Sequence, residues 1–205
     1  MVLRLKLLTV KDLIVSVGIE VLAGIIVAIT IFIWSIHRKL VSKYYNLLIV
    51  KRWKKMARVN ELLSDLALEI DCLYVHIIKY HNGKGIPSPT KTTRLTILWE
   101  EIGNSSVKRI KEEWQGSPVI NDWIKIVNHT LKEDGLVNHW CKCDLSETQK
   151  GIWAMYDIGQ YYEVYISSKS YGFFTLGIST KGDLKLTEAE KHRIERVALQ
   201  LRELL

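Results

Sequence analysis

From Leu13 to Ile36 the chain reads LIVSVGIEVLAGIIVAITIFIWSI, 24 residues with Glu20 as the only ionisable one. A helix of about 20 apolar residues crosses a hydrocarbon core of about 30 Å. The run therefore predicts one transmembrane helix with room for tilt. A cleaved signal peptide has a shorter apolar core and a small-residue cleavage site. Here the run ends instead in Phe32, Ile33 and Trp34, followed by His37, Arg38 and Lys39. Trp34 belongs at the membrane interface, where amphipathic rings settle.

Glu20 is the costly residue of the span. It could face a partner helix and hold an oligomer together, or reach the outer headgroup region, or be protonated. Its off-centre position favours the last two. Gly18 and Gly24 are six apart, so they do not form the four-residue small-residue packing motif.

Flanking charge sets direction. Arg4, Lys6 and Lys11 precede the span within the tail 1–12. Arg38, Lys39, Lys43, Lys51, Arg52, Lys54, Lys55 and Arg58 follow it within 37–58. Eight cations against three predict a cytoplasmic C-terminal side. The expected address is the inner membrane, with the N-terminus outside. The net charge of +7 supports the same partition. Residues 1–58 hold 11 basic and 2 acidic groups, whereas residues 59–205 hold 18 and 20. The excess positive charge thus flanks the membrane, and the rest reads as a nearly neutral soluble domain.

The connector HRKLVSKYYNLLIVKRWKKMAR lacks Pro and Gly and predicts continued helix. Trp34, Arg38, Lys39, Lys43, Lys51, Arg52, Lys54 and Lys55 are the candidate membrane-anchoring residues, with the bilayer and anionic headgroups as partners. An upright stalk that pairs in a dimer is the alternative, though Lys51 and Lys54 interrupt its apolar seam. Nucleic acid also attracts such a segment, but beside a span lipid is the nearer anion.

Residues 59–205 predict an α+β domain. VNELLSDLALEID has helical apolar spacing, and CLYVHIIKY (72–80) reads as a strand before an Asn-Gly turn. TKTTRLTILWEEI (90–102) predicts a second strand. SVKRIKEEW and PVINDWIKIVNHTLKEDG predict helices, with Gly135 as a stop. Three further strands are expected at 151–158, 161–168 and 171–180. LTEAEKHRIERVALQLRELL is an amphipathic helix opened by a Thr187/Glu190 capping box. The sum is an antiparallel five-stranded sheet flanked by helices.

This order resembles a GAF domain, a sensory fold related to PAS. The likeness is carried by YGFFTLGIST with the closing helix, and by CLYVHIIKYHNG as first strand and turn. The YHNG turn is also similar to small single-pass membrane proteins of tailed phages. The sequence lacks the chromophore-cysteine setting of phytochromes and any cyclic-nucleotide signature, so the resemblance carries over no ligand and the cofactor is unknown.

His139, Cys141 and Cys143 alternate, and on one strand they would converge as soft metal ligands. One residue between the cysteines is short of zinc spacing, which leaves two reduced cysteines and a loop His as the plainer reading. Three cysteines do not make a disulfide framework. His76, Tyr80, His81, Asn82 and Trp153 are the candidate ligand-binding residues, although His76 on a strand face with Tyr74 and Ile78 also reads as core. Lys84 between two glycines is a weak phosphate motif, and no nucleophile elbow or zinc-protease motif occurs. The expectation is a non-enzymatic, membrane-anchored sensory or interaction domain. It would bind a small ligand or a protein partner, with homodimers or larger homo-oligomers. The alternative is a phage-encoded protein acting on the host envelope, in lysis control or exclusion.

Overall fold

The computed structural model describes residues 10–81, 94–103, 107–119, 121–133, 135–169 and 172–205. The chain forms two compact units, residues 1–54 and 55–205. Helix α1 (Val10–Glu69) runs for 60 residues without Pro, and Gly18 and Gly24 do not interrupt it.

In the first unit the apolar side chains are bare all round the helix: Val21, Leu22, Ile25, Ile29, Phe32 and Trp34 are all exposed. A helix that is apolar on every side needs an apolar solvent or a core to bury it. This helix is long and apolar enough to cross a membrane.

The second unit has three layers. Its sheet contains β1 (Tyr74–His81), β2 (Arg94–Ile102), β3 (Ser117–Pro118), β4 (Asn138–Cys141), β5 (Ile158–Lys169) and β6 (Gly172–Lys181). The order is β3-β2-β1-β6-β5-β4, with every pair antiparallel. Four of the expected strands form, β1, β2, β5 and β6, and β4 and the two-residue β3, neither of them expected, are the two edges of the sheet.

Central strands β1, β6 and β5 are buried on both faces. On one face Val75, Ile77, Val164, Ile166, Leu176 and Ile178 pack against Leu62, Leu63 and Leu66 of α1. Ile194, Val197 and Leu201 of α4 (Glu188–Leu204) complete that core. Each such side chain contributes about 1.5–3 kcal/mol by leaving water. The α4 start is closed as expected. Thr187 N–H donates to Glu190 Oε2 at 2.7 Å, and Glu190 N–H donates to Thr187 Oγ1 at 3.3 Å.

The other face carries α2 (Asn121–Lys132), α3 (Glu147–Met155) and the segment 107–119. Two expectations are corrected here. Of the strand expected at 151–158 only Ile158 is extended, as the start of β5; Gly151–Met155 belong to α3, whose two buried residues, Gln149 and Trp153, are one helical turn apart. SVKRIKEEW is not a helix either. The buried Glu100 carboxylate accepts from the Ile110 and Lys111 N–H groups at 2.9 and 3.0 Å, holding the chain in turns up to Gly116 at φ +65°. The expected HNGKG turn lies outside the described residues.

Candidate functional site

The strand period sends Tyr74, His76, Ile78 and Tyr80 of β1 to the α2/α3 face, together with Tyr161 and Glu163 of β5 and Thr175, Gly177 and Ser179 of β6. The register sets His76 and Glu163 on either side of Gly177, and Tyr161 beside Ser179. Gly177 cannot be larger. A Cβ there would lie 2.4 Å from Tyr161 Oη and 2.5 Å from His76 Nε2.

This face holds a buried polar network. Glu163 is 0% exposed. Its Oε1 accepts from Tyr80 Oη at 2.8 Å and from Thr175 Oγ1 at 2.7 Å. Trp123 Nε1 of α2 donates in turn to Tyr80 Oη at 2.7 Å. Thr130 Oγ1 lies 3.2 Å from Glu163 Oε2 and 3.0 Å from the Ile126 carbonyl. A hydroxyl has one hydrogen, so with Thr130 donating to the carbonyl, Oε2 is served best by a proton of its own. Burial raises the Glu163 carboxyl above its usual range, which favours that protonated form. The Tyr161 hydroxyl approaches the same carboxyl without hydrogen-bond geometry. Both nitrogens of His76 and the Ser179 hydroxyl are also buried without hydrogen-bond partners among the described residues. Burial lowers the His76 imidazole to about 4, so it is neutral at physiological pH.

Beside the network is a cavity of about 270 Å³. Trp114, Trp123 and Tyr156 wall it, Leu95 closes one side, and Met155 stands at its rim. Gln149 lines it from α3, with its Oε1 buried and without a partner among the described residues. Tyr156 Oη donates to Glu113 Oε2 at 2.5 Å. Burial first, and then that carboxylate, raise the phenol above its ordinary value. Lys108 pairs with Glu113 on the outside. The cavity thus offers flat aromatic walls beside a buried amide, an arrangement that suits a small molecule.

The expected ligand residues divide. His76, Tyr80 and Trp153 come together around Tyr161, whose ring lies 5.9 Å from His76 and 6.1 Å from Trp153, but they are core residues behind the cavity. His81 is half-buried at the end of β1, with Nε2 3.0 Å from Thr96 Oγ1. Burial and the cations Lys79 and Arg94 lower its imidazole. Asn82 and Lys84 lie outside the described residues.

The expected metal trio does not assemble as such. His139 Nε2 bonds Gln160 Oε1 at 2.6 Å, and its ring stacks on Tyr162. Only His139 and Cys141 are on β4, while Cys143 sits in the 3-10 turn Lys142–Asp144. Cys141 and Cys143 are joined as a disulfide, and the third donor beside them is Asp144. The reading of two reduced cysteines is corrected accordingly.

Of the anchoring candidates, Arg38 lies over the Trp34 ring at 5.6 Å. Lys39, Lys43, Lys51, Arg52 and Lys54 are exposed, as is Glu20. Lys55 donates to the Leu204 carbonyl at 3.3 Å within the second unit.

No family model matches the chain, and no curated protein does. Solved structures do match. A cyanobacteriochrome receptor PixJ structure superposes with a TM-score of 0.52 at 12% identity, over 76% of this chain and 99% of that one. The Thermosynechococcus elongatus PixJ GAF domain gives 0.52 at 12%, over 75% and 88%. The GAF domain/HD domain protein from Geobacter sulfurreducens gives 0.51 at 9%, over 71% and 88%. The fold is GAF-like. Identities this low speak for architecture alone, so the chemistry of the GAF-like unit rests on its own residues. Trp114, Trp123, Gln149, Tyr156 and Glu163 are the ones that sequence reasoning did not single out as a site. A lone carboxylate in YYEVYIS, on the face shared with Tyr161 and Tyr165, was the readable signal for Glu163.

Proposed function

We propose that this chain is a single-pass membrane-anchored, non-enzymatic sensory module. Its GAF-like unit lies on the cytoplasmic side and binds a small ligand, and its basic helical segment meets anionic headgroups. The carrying observation is the aromatic cavity with the unpartnered Gln149 Oε1. A buried acceptor without a donor costs about 1–3 kcal/mol, and a ligand N–H or O–H would remove that cost once the Gln149 amide turned towards the cavity. The non-enzymatic reading is supported by the sealing of the acid-base groups on this face. Neither His76 nor Glu163 lines the cavity, so neither reaches a substrate there. The membrane reading is supported by the bare apolar helix, and the orientation by the cations that follow it.

The test uses the full chain, extracted from membranes in detergent. Small molecules released by denaturation are identified by mass spectrometry, and a panel of nucleotides and heteroaromatic metabolites is screened by thermal shift. A compound that is released stoichiometrically, or that raises the midpoint in the wild type but not in Gln149→Leu, supports the reading. Absence of both removes the ligand. Labelling of an engineered surface cysteine in the 59–205 unit from outside intact cells would overturn the orientation.

A further inference from the structure

We infer that Cys141, Cys143 and Asp144 form a redox-gated site for one soft divalent metal ion, closed as a disulfide and open as a dithiol. The two sulfurs and an Asp144 carboxylate oxygen lie within 4.8 Å of one another. Ion–sulfur bonds of about 2.3 Å and ion–oxygen bonds of about 2.1 Å let one ion reach all three after small side-chain rotations. The carboxylate is held in place, because its Oδ2 accepts the Cys141 backbone N–H at 2.9 Å and stands 3.2 Å from Cys141 Sγ. Cys141 is anchored in β4 by its pairing with Gln160. The site is therefore fixed at one end and mobile only through the short turn carrying Cys143.

Its chemistry has two states. In the disulfide neither sulfur is a thiolate, and the site has one anionic donor. A cellular thiol reductant opens it: the S–S bond takes two electrons and two protons, and two reductant thiols become one disulfide. The dithiol form then brings two thiols beside a carboxylate. Binding of one divalent ion forms two metal–sulfur bonds and releases two protons. Two thiolates select soft or borderline ions. Cys143 and Asp144 are exposed, so water can complete the coordination and the ion can exchange. His139 is not a donor, being held by Gln160 and Tyr162.

The third cysteine is an internal reference. Cys72 is 4% exposed, and burial first, then Asp71, pushes its thiol up to about 12. It should remain silent to an aqueous thiol reagent in the folded protein.

The experiment titrates CdCl2 into the full chain in detergent, oxidised or reduced, without free reductant. It follows the thiolate-to-cadmium ultraviolet band and the thiols open to Ellman's reagent. The reduced protein should bind one Cd²⁺ and lose two reactive thiols, while the oxidised protein should bind none. Cys141→Ser and Cys143→Ser should each weaken binding by at least about tenfold, and Asp144→Asn by about tenfold. Equal binding in both redox states overturns the inference, as do two reactive thiols at saturating cadmium, or binding that survives the double serine variant. The redox comparison uses one unaltered protein, so it stands even where a variant fails to fold.

Discussion

Trp123 of α2 donates its indole N–H to the Tyr80 hydroxyl of β1 at 2.7 Å, and that hydroxyl donates onward to Glu163 of β5 at 2.8 Å. One proton chain therefore ties the helix that walls the cavity to the centre of the sheet. Glu163→Ala leaves the Tyr80 and Thr175 hydroxyls buried without their acceptor. Unmet buried donors cost about 1–3 kcal/mol each, so a loss of about 3 kcal/mol or more is expected in urea unfolding of the detergent-solubilised chain. Glu163→Gln keeps an acceptor oxygen in place and should cost clearly less. Equal loss in the two variants would mean that shape, not hydrogen bonding, holds this face together.

Two buried groups on that face respond to pH in opposite directions. His76 is lowered to about 4 when folded, against 6.5 for the free side chain. Between these values the unfolded chain binds more protons, so this term makes stability rise with pH, by about 3 kcal/mol in all. Glu163 is raised above 4.5 when folded. Above 4.5 the folded protein holds the extra proton, so this term makes stability fall as pH rises towards the folded value. The two cancel in part between pH 4.5 and 6.5. Glu163→Gln should expose the His76 slope as a steeper rise with pH. His76→Leu should leave a fall. Unfolding midpoints measured across that interval read both, and parallel curves for wild type and variants would contradict them.

Local signals made much of the second unit legible. The closing helix declared itself through its capping box and apolar stripe, and β1, β5 and β6 through β-branched and aromatic runs. What failed depended on distant partners. The 107–116 segment has helical spacing but is arrested by the Glu100 carboxylate of β2, which no local pattern reports. GIWAMYDIG is apolar enough for a strand, and only the joint burial of Gln149 and Trp153 reveals a helix. That error hid the cavity, since Ile152, Met155 and Tyr156, all within the expected strand, line it from the helix and its C-terminal end. His76, Tyr80 and Trp153 were nominated from the strand period and from aromatic type, features that core and pocket residues share.

Gly177 is a packing requirement of the same network. A methyl group there would collide with both the Tyr161 hydroxyl and the His76 ring. Overpacking of this kind costs about 1–3 kcal/mol, so Gly177→Ala should lower the unfolding midpoint. Tyr161→Phe removes one of the colliding atoms and also a hydroxyl that has no hydrogen-bond partner among the described residues. The double variant Gly177→Ala/Tyr161→Phe should therefore be more stable than the two single losses predict. Simple additivity would place the strain elsewhere.

Gln149 separates a cavity shaped for binding from one left by imperfect packing. Its Oε1 is buried beside Trp114 and Trp123 with no donor among the described residues. If that atom served the fold alone, its removal should harm the fold. Its isolation argues the reverse: Gln149→Leu replaces an unmet acceptor by an apolar group of similar reach, and should leave the ligand-free protein as stable or up to about 1 kcal/mol more stable. The same variant should lose the thermal shift produced by any compound that binds the cavity. Trp123→Ala should lose it too, but with a fall in stability of about 3–5 kcal/mol, because it empties the core as well as the wall. The contrast is the decisive measurement. A Gln149→Leu protein that unfolds early would make Gln149 a structural residue and leave the cavity without its acceptor role.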